Sequence, residues 1–196
     1  MNGSKTEFED HREEVWAQLS KELGGKFVNV EGWARDRVQA QYENWHVTLD
    51  FDLHAGYRSE SIHTRFRAPV PRSAFQLRVF HQELIYTVAH VFGMQDIRVG
   101  DEAFDRMFVV QTTDEAKAGR LFQDPGLRRM MLKEPDLEIT LEIPSGMSSF
   151  EDGEGCDELS IQVPGMVEDA SRLRSLFNVF AHLLHELHKL GLGACT

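Results

Sequence analysis

The stretch His46-Val47-Thr48-Leu49-Asp50-Phe51-Asp52-Leu53-His54 carries the side chains best suited to chemistry in this chain. On an extended backbone, alternation puts Val47, Leu49, Phe51 and Leu53 on one face, and His46, Thr48, Asp50, Asp52 and His54 on the other. Carboxylate oxygens and imidazole nitrogens bind divalent metals. Asp50, Asp52 and His54, joined by His63 from a following strand, therefore form a candidate metal or acid–base site, with metal-dependent hydrolysis as its chemistry. Turns at Tyr42 to Trp45 and Ala55 to Glu60 set the neighbours. They place Arg37 opposite Asp50 and Arg35 opposite Asp52 on one side, and Arg65 opposite Asp50 and His63 opposite Asp52 on the other. Both registers keep the apolar residues together, as register selection requires. Arginines so placed neutralise the carboxylates a metal needs. The favoured reading is a solvated face with cross-strand ion pairs, each worth about 0.2–1 kcal/mol.

A second set of ligand-type residues, His182, His185 and His188, lies near the C-terminus. The zinc-protease pattern needs histidines at i and i+4 with a glutamate between, and Lys189 stands where the second histidine would be. At about 100° per residue His182 falls almost opposite the apolar stripe of Leu173, Leu176, Phe177, Phe180, Leu183, Leu184 and Leu187. His185 falls well off that stripe and His188 borders it, so a surface cluster open to adventitious transition metal is expected. The carboxylate-rich run Ser145 to Glu158 departs from a calcium-loop template and reads as a hairpin loop. Neither a nucleophile elbow nor a glycine-rich phosphate loop occurs. No catalytic residue or cofactor is expected.

The elements that position these residues follow from periodicity. Thr6 to Leu23 reads as a helix with Phe8, Val15, Trp16, Leu19 and Leu23 on one stripe, ended by Gly24-Gly25. Strands are expected at Lys26 to Glu31, Trp33 to Gln41, His46 to His54, Ser61 to Arg67 and Phe75 to Phe80. Connections this short imply antiparallel neighbours. A helix over Glu83 to Phe92 is followed by a strand over Arg106 to Gln111. Thr112 and Glu115 form a capping box for a helix through Phe122. Asp124-Pro125 starts another helix through Lys133. Two further strands, Leu137 to Ile143 and Leu159 to Val163, precede a long amphipathic helix from about Val167 to Leu190. Trp33, Tyr42, Trp45 and Tyr57 gather near strand ends, where rings line a binding mouth or, the favoured reading, cap the core.

The fold class is therefore α+β: a predominantly antiparallel sheet packed by an N-terminal helix, a middle helical segment and the long C-terminal helix. The chain reads as a single domain over 1–196, with 1–95 and 96–196 as candidate fused halves. A formal charge of −11 disfavours non-specific contact with nucleic acid or anionic membrane, and no local basic patch stands out. The polar, acidic N-terminus is unlike a secretory signal and no run is long enough for a membrane span. Cys156 and Cys195 lack metal or redox spacing, so reduced thiols and a cytoplasmic location are the favoured expectation, with a disulfide between the two as the lesser alternative.

The segment Gly100-Asp101-Glu102-Ala103-Phe104-Asp105-Arg106-Met107-Phe108-Val109-Val110 resembles a Gly-Asp-x-x-Phe-Asp-x-x-Phe-x-Val run found in bacterial families of uncharacterised proteins. The likeness covers about Asp96 to Leu132, with a looser echo at Thr64-Arg65 and in the final helix. Some members place this segment behind membrane-spanning helices. The resemblance implies no activity and transfers no catalytic residue. Asp101 and Asp105 are expected to cap backbone rather than bind metal. The function expected from the residues is a non-catalytic protein-interaction or self-association domain, partner or homodimer undefined. The alternatives are a pocket for a small apolar or amphipathic ligand and the hydrolase at Asp50, Asp52, His54 and His63.

Overall fold

The computed structural model describes residues 7–30, 35–55, 60–84, 93–143 and 155–195. Alternating strands and amphipathic helices produce an α+β fold. In chain order the elements are α1 (Glu7–Glu22), β1 (Lys26–Val28), β2 (Arg37–Tyr42), β3 (Trp45–Ala55), β4 (Glu60–Pro71) and β5 (Leu77–His81), with a short 3-10 turn at Gln82–Leu84. There follow β6 (Gln95–Ile97), α2 (Glu102–Met107), β7 (Phe108–Thr112), α3 (Glu115–Leu121), α4 (Pro125–Met131), β8 (Glu138–Glu142), β9 (Cys156–Pro164) and α5 (Ala170–Lys189).

Among the described residues the nine strands form one sheet, in the order β1-β2-β3-β4-β9-β8-β5-β7-β6, and every ladder between them is antiparallel. Strands from both halves of the sequence share this sheet, joined where β4 pairs with β9 and where β5 pairs with β8 and with β7. The register matches the apolar alternation. Leu49 faces Phe66, which faces Ile161, so each strand turns its apolar residues to the same side. That side meets the helices in one continuous core running from Trp16 on α1, through Val47, Leu49, Phe66, Leu77 and Val110, to Leu121, Leu127 and the α5 stripe.

Ring contacts fix the layers. Trp16 stacks on Phe51 at 4.7 Å, and Phe66 meets Phe177 at 5.9 Å and Phe180 at 6.1 Å. The Trp16 indole N–H also donates to the Val167 carbonyl. Thr64, buried under the connection from β9 to α5, donates to the Gly165 carbonyl and accepts from the Val167 N–H. Gly24 ends α1 at φ +64°, and a Cβ on Gly25 would stand 2.3 Å from the Gln39 carbonyl oxygen, so only glycine lets β1 turn this closely onto β2. Trp45 is buried and Tyr42 packs edge-on against Phe177, the core-capping role expected of both. Trp33 and Tyr57 lie outside the described residues.

Several local expectations are corrected. Arg106 to Gln111 is not a continuous strand, because Asp101 accepts from the Ala103 and Phe104 N–H groups and starts a short helix, leaving β7 to begin at Phe108. Asp105 accepts from Val99 and Gly100 and closes the preceding turn, so both aspartates bind backbone as expected. The N-cap of α3 is Asp114, accepting from the Lys117 N–H, rather than Thr112 in a capping box. Thr112 is drawn away because its hydroxyl donates to the Gln76 carbonyl across the sheet. Asp124-Pro125 caps α4 as expected. Cys156 to Glu158 belong to β9 rather than to a loop, β6 was not anticipated, and the helix expected over Glu83 to Phe92 falls largely outside the described residues. Most of the Ser145 to Glu158 run also lies outside them.

The largest correction concerns the cysteines. Cys156 and Cys195 form a disulfide with Cα atoms 6.3 Å apart. The turn after α5 carries the C-terminal tail back to the first residue of β9, a proximity that sequence spacing does not reveal. The bridge closes a separation of 39 residues, and loop-closure entropy puts its worth at about 3–4 kcal/mol. Reduction in native buffer is expected to lower Tm by roughly 6–15 °C. Melts with and without a phosphine reductant measure this, and identical curves would contradict it.

Candidate functional site

The face of the sheet opposite the helices carries the polar alternation. On β3, β4 and β9 it holds Asp50 and Asp52, Arg65 and Arg67, and Glu158. On the β4 side the expected cross-strand pairs form, with Asp50 opposite Arg65 and Asp52 opposite His63. On the other side the β2–β3 ladder begins at Val38 and Leu49, and the ladder partner of Arg37 is Val28 of β1. Arg65 binds both oxygens of Asp50, through Nε at 2.9 Å and Nη2 at 3.1 Å. Arg67, in the same face two residues on, adds a third bond to Asp50 at 2.8 Å and reaches Glu158 at 3.3 Å. Arg65 further lies 3.7 Å from Asp52 and 3.7 Å from Glu158. Burial pulls the Arg65 guanidinium down, but Asp50, Glu158 and Asp52 outweigh it and its net shift is upward.

Two cations and three anions therefore interlock. Bidentate arginine geometry makes these stronger than single surface pairs, and the low exposure of Arg67 and Glu158 reduces screening. Chemically, Asp50 has no oxygen without an arginine bond. Arg35 is exposed and precedes the β2 ladder, so it does not take up the expected place opposite Asp52. His54 pairs through its backbone with Ser61, and its side chain lies outside the described part. His63 is half-buried and makes a parallel bridge to Gly165.

Two further constellations were not legible in the sequence. First, His182 is not set on an open surface. Packing of α4 beside α5 brings its Nε2 to 3.3 Å from Asp124 Oδ1, and 3.7 Å from Glu186 Oε1 one helical turn on. Asp124 lies 58 residues away in sequence, so only the i, i+4 spacing of His182 and Glu186 could have signalled it. The Asp124 carboxyl is held below the usual range by the Leu127 N–H it caps, and secondarily by His182. His185 and His188 are exposed, as expected.

Second, an open cleft of about 850 Å³ lies between the loop after β6 and helices α3 and α4. Ile97, Val99, Ala116 and Gly119 form apolar wall, while Arg98, Arg120 and Arg128 supply positive charge against one acid, Glu115. Arg128 is braced by Asp101 at 2.9 Å and by the Phe122 and Gln123 carbonyls. Arg98 and Arg120 are exposed and make no ion pair among the described residues. The sequence hides this basic patch because its arginines come from three separate elements.

Among the described residues no helix is long and apolar enough to cross a membrane. Comparison with protein families, curated proteins and solved structures yields no match for this chain. What fold and site define is an α+β protein with a nine-stranded antiparallel sheet, an ion-paired polar face and a basic cleft.

Proposed function

We propose that this chain is a non-catalytic protein-interaction domain that takes an acidic segment of a partner protein in the cleft between α3, α4 and the loop after β6. The observation that carries this reading is the gathering of Arg98, Arg120 and Arg128 in one open groove of an otherwise acidic molecule. Guanidinium groups bind carboxylates in bidentate fashion, and the apolar wall accommodates the side chains between them. The formal charge of −11 repels a long polyanion such as nucleic acid, whereas a short acidic segment meets only the local field.

Other features support a binding role over the alternatives. Arginine bonds to both oxygens of Asp50 disfavour hydrolysis at Asp50, Asp52, His54 and His63. A small-ligand pocket under α5 is disfavoured because Phe66, Phe180, Leu183 and Leu184 fill that space without exposure. Self-association by sheet extension is disfavoured by edge strands of three residues each. The Cys156–Cys195 bridge favours an oxidising compartment over the cytoplasm expected from cysteine spacing.

A fluorescent glutamate-rich peptide, titrated by anisotropy at several salt concentrations, tests the proposal. Saturable binding that weakens with salt is expected, with a loss of about tenfold or more on Arg120→Glu. Gly119→Glu is a second test, since a Cβ there meets nothing within 4 Å and the fold tolerates it. Undiminished binding by both variants would sink the reading.

A further inference from the structure

We infer that Asp124, His182 and Glu186 form a zinc-class divalent metal site that staples α4 to α5. One oxygen or nitrogen from each of the three residues lies within 4.8 Å of the others. Zinc bonds of about 2.0–2.2 Å at tetrahedral angles require ligand atoms roughly 3.3–3.6 Å apart. His182 Nε2 stands 3.3 Å from Asp124 Oδ1 and 3.7 Å from Glu186 Oε1, close to two of those tetrahedral edges, and the third edge, from Asp124 to Glu186, is within 4.8 Å.

A second observation separates this cluster from an ordinary salt bridge. His182 Nε2 is shielded from solvent and makes no hydrogen bond, although Asp124 Oδ1 is so near. That nitrogen has a carboxylate oxygen within 4 Å on each of two residues and a hydrogen bond to neither. A shielded ring nitrogen that makes no hydrogen bond is better suited to a metal than to an isolated imidazole.

The surroundings keep the space open. A Cβ on Gly126 would come within 2.8 Å of Asp124 Oδ1 and reach ordinary contact with His182 Cε1 at 3.7 Å, so a side chain there would crowd the Asp124 ligand. The competing charge is Lys189, whose Nζ lies 2.7 Å from Glu186 Oε1 on an exposed, flexible stem. A divalent ion displaces that ammonium and leaves the fourth tetrahedral position to water, because Asp124 and His182 are each about a third exposed. The role is structural: α4 has only seven residues, and the metal ties its capped start to the middle of the longest helix.

The test uses the full chain without a histidine tag, stripped with chelator and titrated with Zn2+ by calorimetry. One Zn2+ per chain is expected, with affinity falling about tenfold or more in His182→Gln and in Asp124→Asn. Asparagine caps a helix as well as aspartate does, so the second variant keeps α4 folded. Lys189→Met is expected to tighten binding, an effect that loss of folding cannot produce. Replacing both His185 and His188 with glutamine is expected to leave the titration unchanged. The proposal is overturned if no saturable binding occurs, if His182→Gln binds like the unmodified chain, if Lys189→Met fails to tighten binding, or if the double variant abolishes it. Peptide binding in the cleft plays no part in this readout.

Discussion

Asp36→Ala is expected to lower folding stability by about 3–5 kcal/mol, the range for removing one partner of a buried ion pair. Arg12 of α1 and Asp36, just before β2, are each only 1% exposed, and their side chains meet at 2.6 Å. The other Asp36 oxygen accepts from the Val30 N–H, so the carboxylate ties the α1 layer, the end of β1 and the start of β2 together. The Arg12 guanidinium also stands over the Trp16 and Phe51 rings, at 5.7 and 5.4 Å. Removing Asp36 takes from the buried guanidinium a carboxylate at 2.6 Å. Urea unfolding measures the loss, and a change below about 1 kcal/mol would show that the pair is not desolvated as described. The double variant Arg12→Met/Asp36→Ala should lose less than the sum of the two single changes, since the charge is removed with its partner.

Phe66→Ala is expected to cost about 3–5 kcal/mol through a cavity at the centre of the fold. Phe66 is 1% exposed, lies between Leu49 and Ile161 in the sheet, and supports Phe177 and Phe180 of α5. Its truncation strips α5 of the ring contacts that seat it. Amide exchange along α5 should therefore accelerate together with the fall in global stability. Leu53→Ala serves as the comparison, because Leu53 is half exposed and its loss should stay within about 0.5 kcal/mol. Similar costs at the two positions would contradict the placement of the core.

The core and the sheet registers were legible because both rest on short-range periodicity. Alternation of Val47, Leu49 and Phe51 admits one pairing with Phe66 and Thr64, since a slip of one residue would turn every apolar side chain to the polar face. The Asp50–Arg65 pair follows from that register alone. The same logic marked Leu173 to Leu187 as the buried stripe of α5. Local competition defeated it at Thr112, whose hydroxyl is held by the Gln76 carbonyl just before β5, and at Asp101, where a side-chain cap starts a helix that takes up the first two residues of the expected strand.

The chemistry-bearing contacts beyond the strand face belong to tertiary structure. Arg12 falls on the same stripe as Trp16, yet nothing local says that Asp36 will close over it. Asp124 meets His182 only because α4 packs beside α5, and Arg98 and Arg120 share a groove only because the loop after β6 and α3 line the same cleft. Cys195 reaches Cys156 only after the chain has turned back at the end of α5. The first residues read for chemistry, Asp50, Asp52, His54 and His63, were thus placed by the sequence on one polar strand face. Tertiary structure decided how much of that face is consumed, by setting Arg67 and Glu158 beside the Asp50–Arg65 pair. Periodicity encodes which face a residue occupies, whereas a meeting of distant elements depends on packing that no local pattern contains.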